Sequence, residues 1–428
     1  MKKTIFYLIL SIFFVSALHA KDVHLITIDG VVNPVSMEFI IESVEKAEEE
    51  NAELLIIELD TPGGLMSSMH DIVKSIMAAE VPVAVYVSPS GSRAGSAGVF
   101  ITMAAHIAVM APGTNIGSAH PVTLTGSQDT SEVMMEKVLN DAVASIRTVA
   151  EKRGRNADWA ESAVRESANI TESEALEKNV IDFVVPTVDS LLSVIDGLEV
   201  EVLDEKKILN TKNSRIIAFS MNWRQQALDM LSDPNILYIL FLLGISGLGL
   251  ELYNPGAILP GVVGGICIIL FLFAVQTIPV NIAGVLLIIF AVVLFLLEIK
   301  IASFGLLSIG GVVSLVLGSI MLIDSPLPFM QISWQLIAGA TIAISLFFIL
   351  VVGFVVRTFK RKPTTGREGL VGEEGIAIES FKQEGSVEVH GEIWKAMTET
   401  KIKKGQKIFI ESVDEKHLTI KVKPLNYN

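Results

Sequence analysis

The sequence predicts three structural units of different class: an α/β domain over residues 21–200, a helical membrane domain over 235–358 and a small all-β barrel over 366–428. Three observations support this division. Apolar runs typical of strands alternate with helical segments in the first unit, whereas apolar residues are almost continuous in the second. In the third unit, glycines separate short strands, a pattern that is typical of a small barrel of the OB type.

The α/β unit is predicted to contain a parallel sheet, because helices separate its strands and provide crossover connections. The run 52–59 is apolar at most positions, as expected of a strand that is covered on both faces. The strands are expected at residues 22–29, 52–59, 81–87, 106–110 and 180–185, and the main helices at 35–50, 65–79, 96–105 and 131–152.

The N-terminus has the organisation of a secretory signal peptide. Lys2 and Lys3 precede a short apolar stretch, and Ala20 is a small residue at the expected cleavage point. Residues 1–20 are therefore predicted to direct the following domain across the cytoplasmic membrane. The alternative is a retained signal anchor, which would export the same domain.

The membrane unit is predicted to cross the bilayer five times, with the first domain outside the cytoplasm. Basic residues follow the last span, which places the C-terminal barrel in the cytoplasm of a multi-pass inner-membrane protein. Residues 201–234 are predicted to be a linker with an amphipathic helix that ends just before the first span. The spans are expected at about 236–252, 257–275, 280–298, 303–323 and 335–357.

Charge and cysteine content exclude several classes of protein. The net charge of −14 is opposite to that of a nucleic-acid-binding protein, which needs a basic face. Residues 366–428 contain 10 Lys and Arg against 11 Asp and Glu, so the barrel is predicted to contact proteins rather than nucleic acid. Cys267 is the single cysteine, which excludes an intramolecular disulfide and a cysteine-based metal site.

Two glycine-rich turns carry the candidate active site. The first contains Gly63 and Gly64 and follows the second predicted strand, and the other contains Ser96 and Ala97 and follows the third. Because the carboxyl ends of parallel strands lie at one edge of a sheet, the turns are expected to be neighbours. A serine hydroxyl is a nucleophile for acyl transfer once a base removes its proton, and backbone N–H groups can stabilise the resulting oxyanion. Taken singly, each turn favours a purely structural role, and only the two turns together at one sheet edge favour a catalytic site.

Lys137 is one candidate for the base. It lies on a predicted helix, 41 residues after Ser96, and the helical spacing places it on a face with Val133, Met134, Asp141 and Ala144. If this largely apolar face is buried, desolvation lowers the pKa of the lysine and provides a neutral amine. The alternative is a solvated surface lysine.

Histidine is the more usual partner of a catalytic serine. Within the exported domain, His24, His70 and His106 show no local pattern of a catalytic base. His120 lies in a turn between small residues and a proline, and it remains a second candidate.

These motifs together resemble the full-length NfeD family, membrane-bound serine proteases of the ClpP class. The resemblance covers nearly the whole chain, including the order of its domains. The stretches that carry it are Leu59–Gly64, Ala94–Gly98, Met110–Gly117, the helix around Lys137, Asn235–Gly256 and Gly391–Ala396.

The resemblance implies a fold, a mechanism and a partner. The first domain is expected to have a ClpP/crotonase-type fold, with Ser96 as nucleophile, Lys137 as general base, and the N–H groups of Gly64 and Ala97 as oxyanion donors. It implies no metal and no cofactor. The implied substrate is an apolar segment, for example the C-terminal region of a stomatin- or prohibitin-like membrane protein, and the implied assembly is a homo-oligomer, at least a dimer.

Two other functions stay open at this point. One is a non-catalytic membrane scaffold that organises a stomatin-like partner. The other is a crotonase-like acyl-transfer enzyme, which export disfavours because acyl-CoA is an intracellular substrate. Met66, Met69 and Met103 are candidates for a substrate pocket or for packing in the helix core.

Overall fold

The structure is a computed structural model that describes residues 21–122, 132–212, 214–253, 255–256, 258–275, 278–301, 303, 305–359, 367–414 and 418–425. The expected signal peptide lies outside these residues. The chain divides into two compact units. The larger extends to Leu296 and resumes over Ile309–Thr341, and the smaller comprises Leu297–Ser308 and the chain from Ile342 onward.

The α/β class predicted for the first domain is confirmed by a six-stranded parallel sheet. The strands of this domain are β1 (Val23–Asp29), β2 (Leu54–Asp60), β3 (Val83–Val87), β4 (Arg93–Gly95), β5 (Ile107–Met110), β6 (Asn115–Gly117), β7 (Asn169–Thr171), β8 (Phe183–Val184), β9 (Glu199–Val202), β10 (Glu205–Ile208) and β11 (Ile216–Ala218). The strand order is β11-β1-β2-β3-β5-β8, and every pair of neighbours is parallel. The central strands β3 and β5 are buried throughout, which explains their continuous apolar sequence.

Helices cover the sheet as the crossover pattern requires. They are α1 (Pro34–Glu49), α2 (Met66–Ala78), α3 (Ala97–Ala104), α4 (Glu132–Lys152), α5 (Ala157–Arg165), α6 (Glu172–Glu177), α7 (Val188–Val194) and α8 (Trp223–Leu231). Helix α1 begins at Pro34 because the Asn33 side chain accepts hydrogen bonds from the N–H groups of Val35 and Ser36. Helix α3 is buried along its whole length.

A buried arginine closes the C-terminal end of α3. The Arg155 guanidinium donates to the carbonyl oxygens of Met103 (2.9 Å) and Ala105 (2.7 Å) and to the carboxylate of Asp182 (2.6 Å). Its side chain is only 2% exposed. A cation is favourable here because the last carbonyl groups of a helix carry partial negative charge.

The segment 201–234, expected to be a linker, contains more structure than the sequence indicated. Strands β9 and β10 pair as a hairpin, and β11 returns to the main sheet as a parallel neighbour of β1. The predicted amphipathic helix is α8, which packs against α1. The Asn33 side chain donates to Asp229 (2.7 Å), and the Gln225 side chain donates to Glu42 (2.9 Å).

Five apolar helices follow at the predicted positions: α9 (Pro234–Tyr253), α10 (Ile258–Ala274), α11 (Ile282–Lys300), α12 (Leu306–Met321) and α13 (Trp334–Phe359). Helices α9 and α10 approach closely at Gly247 and Gly264, where a side chain on either glycine would collide with the other helix. By length and composition, α9 and α11 are long and apolar enough to cross a membrane. Crossing of the membrane by all five helices stays a prediction.

Glu298, a carboxylate within the apolar region, has a structural role. It is 5% exposed and accepts hydrogen bonds from the Ser303 hydroxyl (2.7 Å) and from the N–H groups of Gly305 (3.0 Å) and Ser308 (3.0 Å). These groups lie at the start of α12, where helix N–H groups lack intrahelical acceptors. Glu298 therefore caps the following helix.

The C-terminal region is a closed five-stranded barrel, which confirms the predicted small all-β unit. Its strands are β12 (Glu374–Ala377), β13 (Glu384–Val389), β14 (Glu392–Met397), β15 (Lys407–Asp414) and β16 (Thr419–Pro424). They follow the order β12-β13-β14-β16-β15, and β12 pairs with β15 to close the barrel.

Candidate active site

Ser96 occupies a strained turn between β4 and α3. Its φ of 49° and ψ of −107° lie outside the regions that L-residues normally occupy. The turn is held because the Ser96 N–H donates to the carbonyl oxygen of Gly117 (3.0 Å) on β6, which is paired with β4. A serine in a costly conformation between a strand and a helix is typical of a nucleophile that must be presented at a surface.

The two glycine turns are neighbours, as the positions of their strands predicted. A Cβ atom placed on Gly63 would lie 2.6 Å from the Cβ of Ser96, so only glycine fits there. The glycine turn is itself fixed by Val32, whose N–H donates to the carbonyl oxygen of Gly63 (2.9 Å) and whose carbonyl oxygen accepts from the N–H of Leu65 (2.8 Å). The backbone beside Ser96 is therefore rigidly positioned.

Among the three predicted oxyanion donors, the structure distinguishes Gly63 from the other two. The Gly63 N–H donates to the Thr61 hydroxyl (3.1 Å), and Thr61 is fully buried. The N–H groups of Gly64 and Ala97 have no acceptor among the described residues. Ala97 is the first residue of α3, where free N–H groups and the helix dipole favour negative charge. Gly64 and Ala97 are thus the two donors available to a ligand.

A largely apolar cavity of about 540 Å³ adjoins Ser96 and these two donors. Met66 and Met69 line it, whereas Met103 is buried in the core. The cavity is lined by Pro62, Gly64, Leu65, Met66, Met69, Ser96, Ala97, Phe100, Ser118, Ala119, His120, Pro121, Val122, Met135, Val138, Ser167, Leu327 and Phe329.

Lys137 does not have the buried environment that the helical pattern suggested. It is exposed on α4, and no hydrogen bond joins it to Ser96 in the described part of the chain. The residues that share its face are exposed as well, because α4 packs on the core with a different stripe: Ala142, Val143, Ile146, Val149 and Ala150. Its neighbours Met135 and Val138 nevertheless line the Ser96 cavity, so Lys137 belongs to the turn of α4 that borders the site.

His120 is the histidine that lines the cavity. Its Nδ1 lies 2.9 Å from the carbonyl oxygen of Val164. Because a carbonyl oxygen only accepts hydrogen bonds, Nδ1 must carry a proton. The other ring nitrogen, Nε2, takes no part in this hydrogen bond. His24 is instead buried beside Glu50 (3.2 Å), and burial lowers its pKa.

His106 is a structural histidine, and it predicts an acid-sensitive fold. Its Nδ1 accepts a hydrogen bond from the Val83 N–H (3.2 Å). Burial, followed by repulsion from Arg153 and Arg155, lowers its pKa to about 3. An unfolded histidine has a pKa of about 6.5, so between these two values only the unfolded chain binds the proton. Stability is therefore complete above about pH 6.5 and is lost as the pH falls toward 3.

We expect His106→Asn to remove the pH dependence of stability that arises from His106. The asparagine side-chain oxygen can still accept the hydrogen bond from the Val83 N–H. Between pH 7.5 and pH 5, His106 should lower the free energy of unfolding of the wild-type protein by about 2 kcal/mol. The decrease in the variant should be about 2 kcal/mol smaller. Thermal unfolding of both proteins in detergent at the two pH values measures the difference. Equal pH dependence in the two proteins would contradict the assignment.

Among the described residues, no group of three or more His, Cys, Asp and Glu side chains lies close enough to hold a metal ion.

Comparisons with known protein families cover most of the chain. Residues 22–211 match the N-terminal domain of NfeD1b, 235–354 the NfeD integral membrane domain, and 367–424 the NfeD-like C-terminal, partner-binding domain. Membrane-bound protease PH1510 of Pyrococcus horikoshii is 33% identical over 97% of this chain and 96% of its own length. The chain belongs to the NfeD family. It contains the integral membrane domain of that family, and its full-length similarity to a membrane-bound protease supports proteolytic activity.

Other relatives of this NfeD chain include a second full-length protein. Membrane protein NfeD1b of Bacillus subtilis is 26% identical over 94% of this chain and 93% of its own length. Among solved structures, a serine-to-alanine mutant of the 1510-N membrane-bound stomatin-specific protease is 31% identical, covers 48% of this chain and 100% of its own, and has a TM-score of 0.45. A lysine-to-alanine mutant of 1510-N, in complex with a substrate peptide, is 32% identical, covers 49% of this chain and 97% of its own, and also has a TM-score of 0.45.

Proposed function

We propose that this NfeD protein is a membrane-anchored serine endopeptidase with Ser96 as nucleophile and Lys137 as general base. The observation that carries the proposal is the strained Ser96, which shares an apolar cavity with the two free N–H donors of Gly64 and Ala97. Acyl transfer needs this combination, because negative charge develops on the carbonyl oxygen during the reaction.

The reaction proceeds in two steps. Ser96 Oγ attacks the peptide carbonyl carbon and gives its proton to the base, while the carbonyl oxygen becomes an oxyanion bound by Gly64 and Ala97. The C–N bond then breaks, the base protonates the departing amine, and an acyl ester remains on Ser96. Water, deprotonated by the same base, hydrolyses the ester and returns the proton to Ser96 Oγ.

Lys137 lies in the first turns of α4, which border the cavity. Met135 and Val138, on either side of it, already line the cavity, and catalytic hydrogen bonds commonly form only when substrate is bound. His120 is the second candidate base, because it lines the same cavity and its Nδ1 proton is fixed by Val164.

The proposed substrate is an extended apolar segment of a membrane protein. The cavity walls are mainly Leu, Met, Phe and Val side chains, which favour apolar over charged residues. The 1510-N relative is named a stomatin-specific protease, so a stomatin- or prohibitin-like protein is the proposed substrate or partner here. We further propose at least a dimer, with the first domain outside the cytoplasmic membrane and the barrel inside.

Cleavage of a fluorogenic apolar peptide by the full chain in detergent tests the proposal. Ser96→Ala should reduce kcat/KM by at least about 1,000-fold and Lys137→Ala by at least about 100-fold, whereas His120→Ala should stay within a few fold. A serine-reactive fluorophosphonate should label the wild type and not Ser96→Ala.

The outcomes separate the rival functions. If His120→Ala abolishes cleavage and Lys137→Ala does not, the base is His120. A folded wild-type chain that neither cleaves peptides nor reacts with the fluorophosphonate would instead support a scaffold for a partner, a role for which the C-terminal domain is the natural site.

A further inference from the structure

Two residues of the helical domain line the Ser96 cavity although they lie more than 200 positions further along the chain. Leu327 and Phe329 belong to the loop Ser325–Gln331, which connects α12 to α13. Both are partly buried, and both are apolar like most of the cavity walls. No feature of the catalytic mechanism uses them, so their presence there needs another explanation.

The loop has a defined conformation. Ser325 is 5% exposed, its hydroxyl accepts from the Leu327 N–H (3.3 Å), and its carbonyl oxygen accepts from the Gln331 side chain (2.9 Å). The Met330 N–H donates to the Leu327 carbonyl oxygen (3.0 Å), which forms a short 3₁₀ turn. Met330 itself is buried, so one side of the loop is anchored while Leu327 and Phe329 border the cavity.

The helical domain is also held against the domain that carries Ser96. Helix α8 packs on α1 on one side and on α9 and α10 on the other. Its Asp229 accepts from Asn33 (2.7 Å), which directly follows Val32, the residue that fixes the turn of Gly63 and Gly64. The Ser333 N–H, just after the loop, donates to the Asn235 side chain at the start of α9 (2.9 Å). The loop is therefore connected through α9, α8 and Asn33 to the turn that carries Gly64.

We infer that Leu327 and Phe329 form a substrate-binding wall that selects apolar side chains, so that the membrane domain supplies part of the protease specificity. The inference rests on the proposed function and deepens it. A segment bound against this wall lies beside Ser96 and beside the loop that leads into the start of α13, so the substrate class is an extended apolar peptide located where a protein leaves the membrane. Burial of one such side chain against Leu327 and Phe329 accounts for at least a tenfold preference.

The test compares two reactions of the full chain in detergent. A fluorogenic apolar peptide fills the cavity, whereas a small fluorophosphonate reacts with the serine without occupying the wall. In the double variant Leu327→Ser with Phe329→Ala, kcat/KM for the peptide should fall at least tenfold, mainly through KM, while the rate of fluorophosphonate labelling should stay within twofold of the wild type. Trp334→Ala is the matched control, because Trp334 is 64% exposed at the start of α13 and does not line the cavity.

Each other outcome has a definite meaning. Unchanged peptide cleavage in the double variant, with normal labelling, overturns the wall but leaves the proposed protease intact. Faster labelling together with faster cleavage also overturns the substrate-binding wall, because it means that the loop covers the site and hinders substrate binding. A wild-type chain that is not labelled contradicts the proposed function itself, and the wall falls with it.

Discussion

Gly63→Ala is expected to abolish peptide cleavage while the protein stays folded. The new Cβ would lie 2.6 Å from the Cβ of Ser96, and Gly63 has a φ of +125° that alanine adopts only at a cost. The glycine turn cannot yield easily, because Val32 pairs with it on the opposite side. Ser96 and the Gly64 N–H must therefore move apart, and the misplacement of one oxyanion donor costs about 100- to 1,000-fold in kcat.

Gly91→Ala controls for the backbone cost in this experiment. Gly91 also has a positive φ, +96°, but a Cβ placed there would meet no atom within 4 Å. Gly91→Ala should lose about 1 kcal/mol of stability through its backbone alone, Gly63→Ala should lose more because of the added steric conflict, and only Gly63→Ala should lose activity. Cleavage of the apolar peptide and thermal unfolding in detergent measure the two quantities. A Gly63→Ala protein that cleaves at the wild-type rate would show that the turn does not control the geometry of Ser96.

Arg155→Met is expected to give the largest loss of stability. The change leaves the Asp182 carboxylate without its buried partner and the carbonyl oxygens of Met103 and Ala105 without the guanidinium donor. The Arg155 side chain is buried but Asp182 is one-third exposed, so breaking this pair from the arginine side should cost about 3 kcal/mol, the lower end of the range for buried pairs. For a domain of about 200 residues, that loss lowers the unfolding temperature by roughly 10 °C.

Arg147→Met is the matched control for Arg155. Arg147 also pairs with carboxylates, Asp158 (2.9 Å) and Glu161 (2.8 Å), but its side chain is 34% exposed and Asp158 is 91% exposed. Solvent screens such pairs, so the loss of stability should be much smaller than that of Arg155→Met. Similar unfolding temperatures for the two variants would show that Arg155 contributes no more than a surface charge.

Part of the geometry of the candidate active site was predicted from the sequence. The adjacency of Ser96 to Gly63 and Gly64 was predicted from the parallel strands that precede the two turns, and the structure confirms it by a different route. Ser96 follows β4 of the three-stranded sheet, and a parallel bridge between Thr61 and Ala94 joins this strand to the glycine turn. The availability of Gly64, and not Gly63, as a donor did not follow, because it depends on the Thr61 hydroxyl that binds the Gly63 N–H.

The position of Lys137 shows the limit of helical periodicity. The spacing correctly grouped the residues on its face, and α4 is a helix as predicted. Periodicity does not say which face the rest of the protein covers when both contain apolar residues. The stripe with Ala142 and Ile146 packs into the domain core, where α3 and α5 are the neighbouring helices, and this leaves the Lys137 face in solvent.

Local sequence patterns specify the class of each unit, the positions of the five apolar helices and the pairing of a serine turn with a glycine turn. These properties are local, since apolar periodicity and the need for glycine act over a few residues. Tertiary structure alone decided that β11 completes the sheet, that Arg155 closes α3, that His120 lines the cavity, and that Leu327 and Phe329 join it. Each of these depends on hydrogen bonds and packing between residues far apart in the chain, which local sequence does not encode.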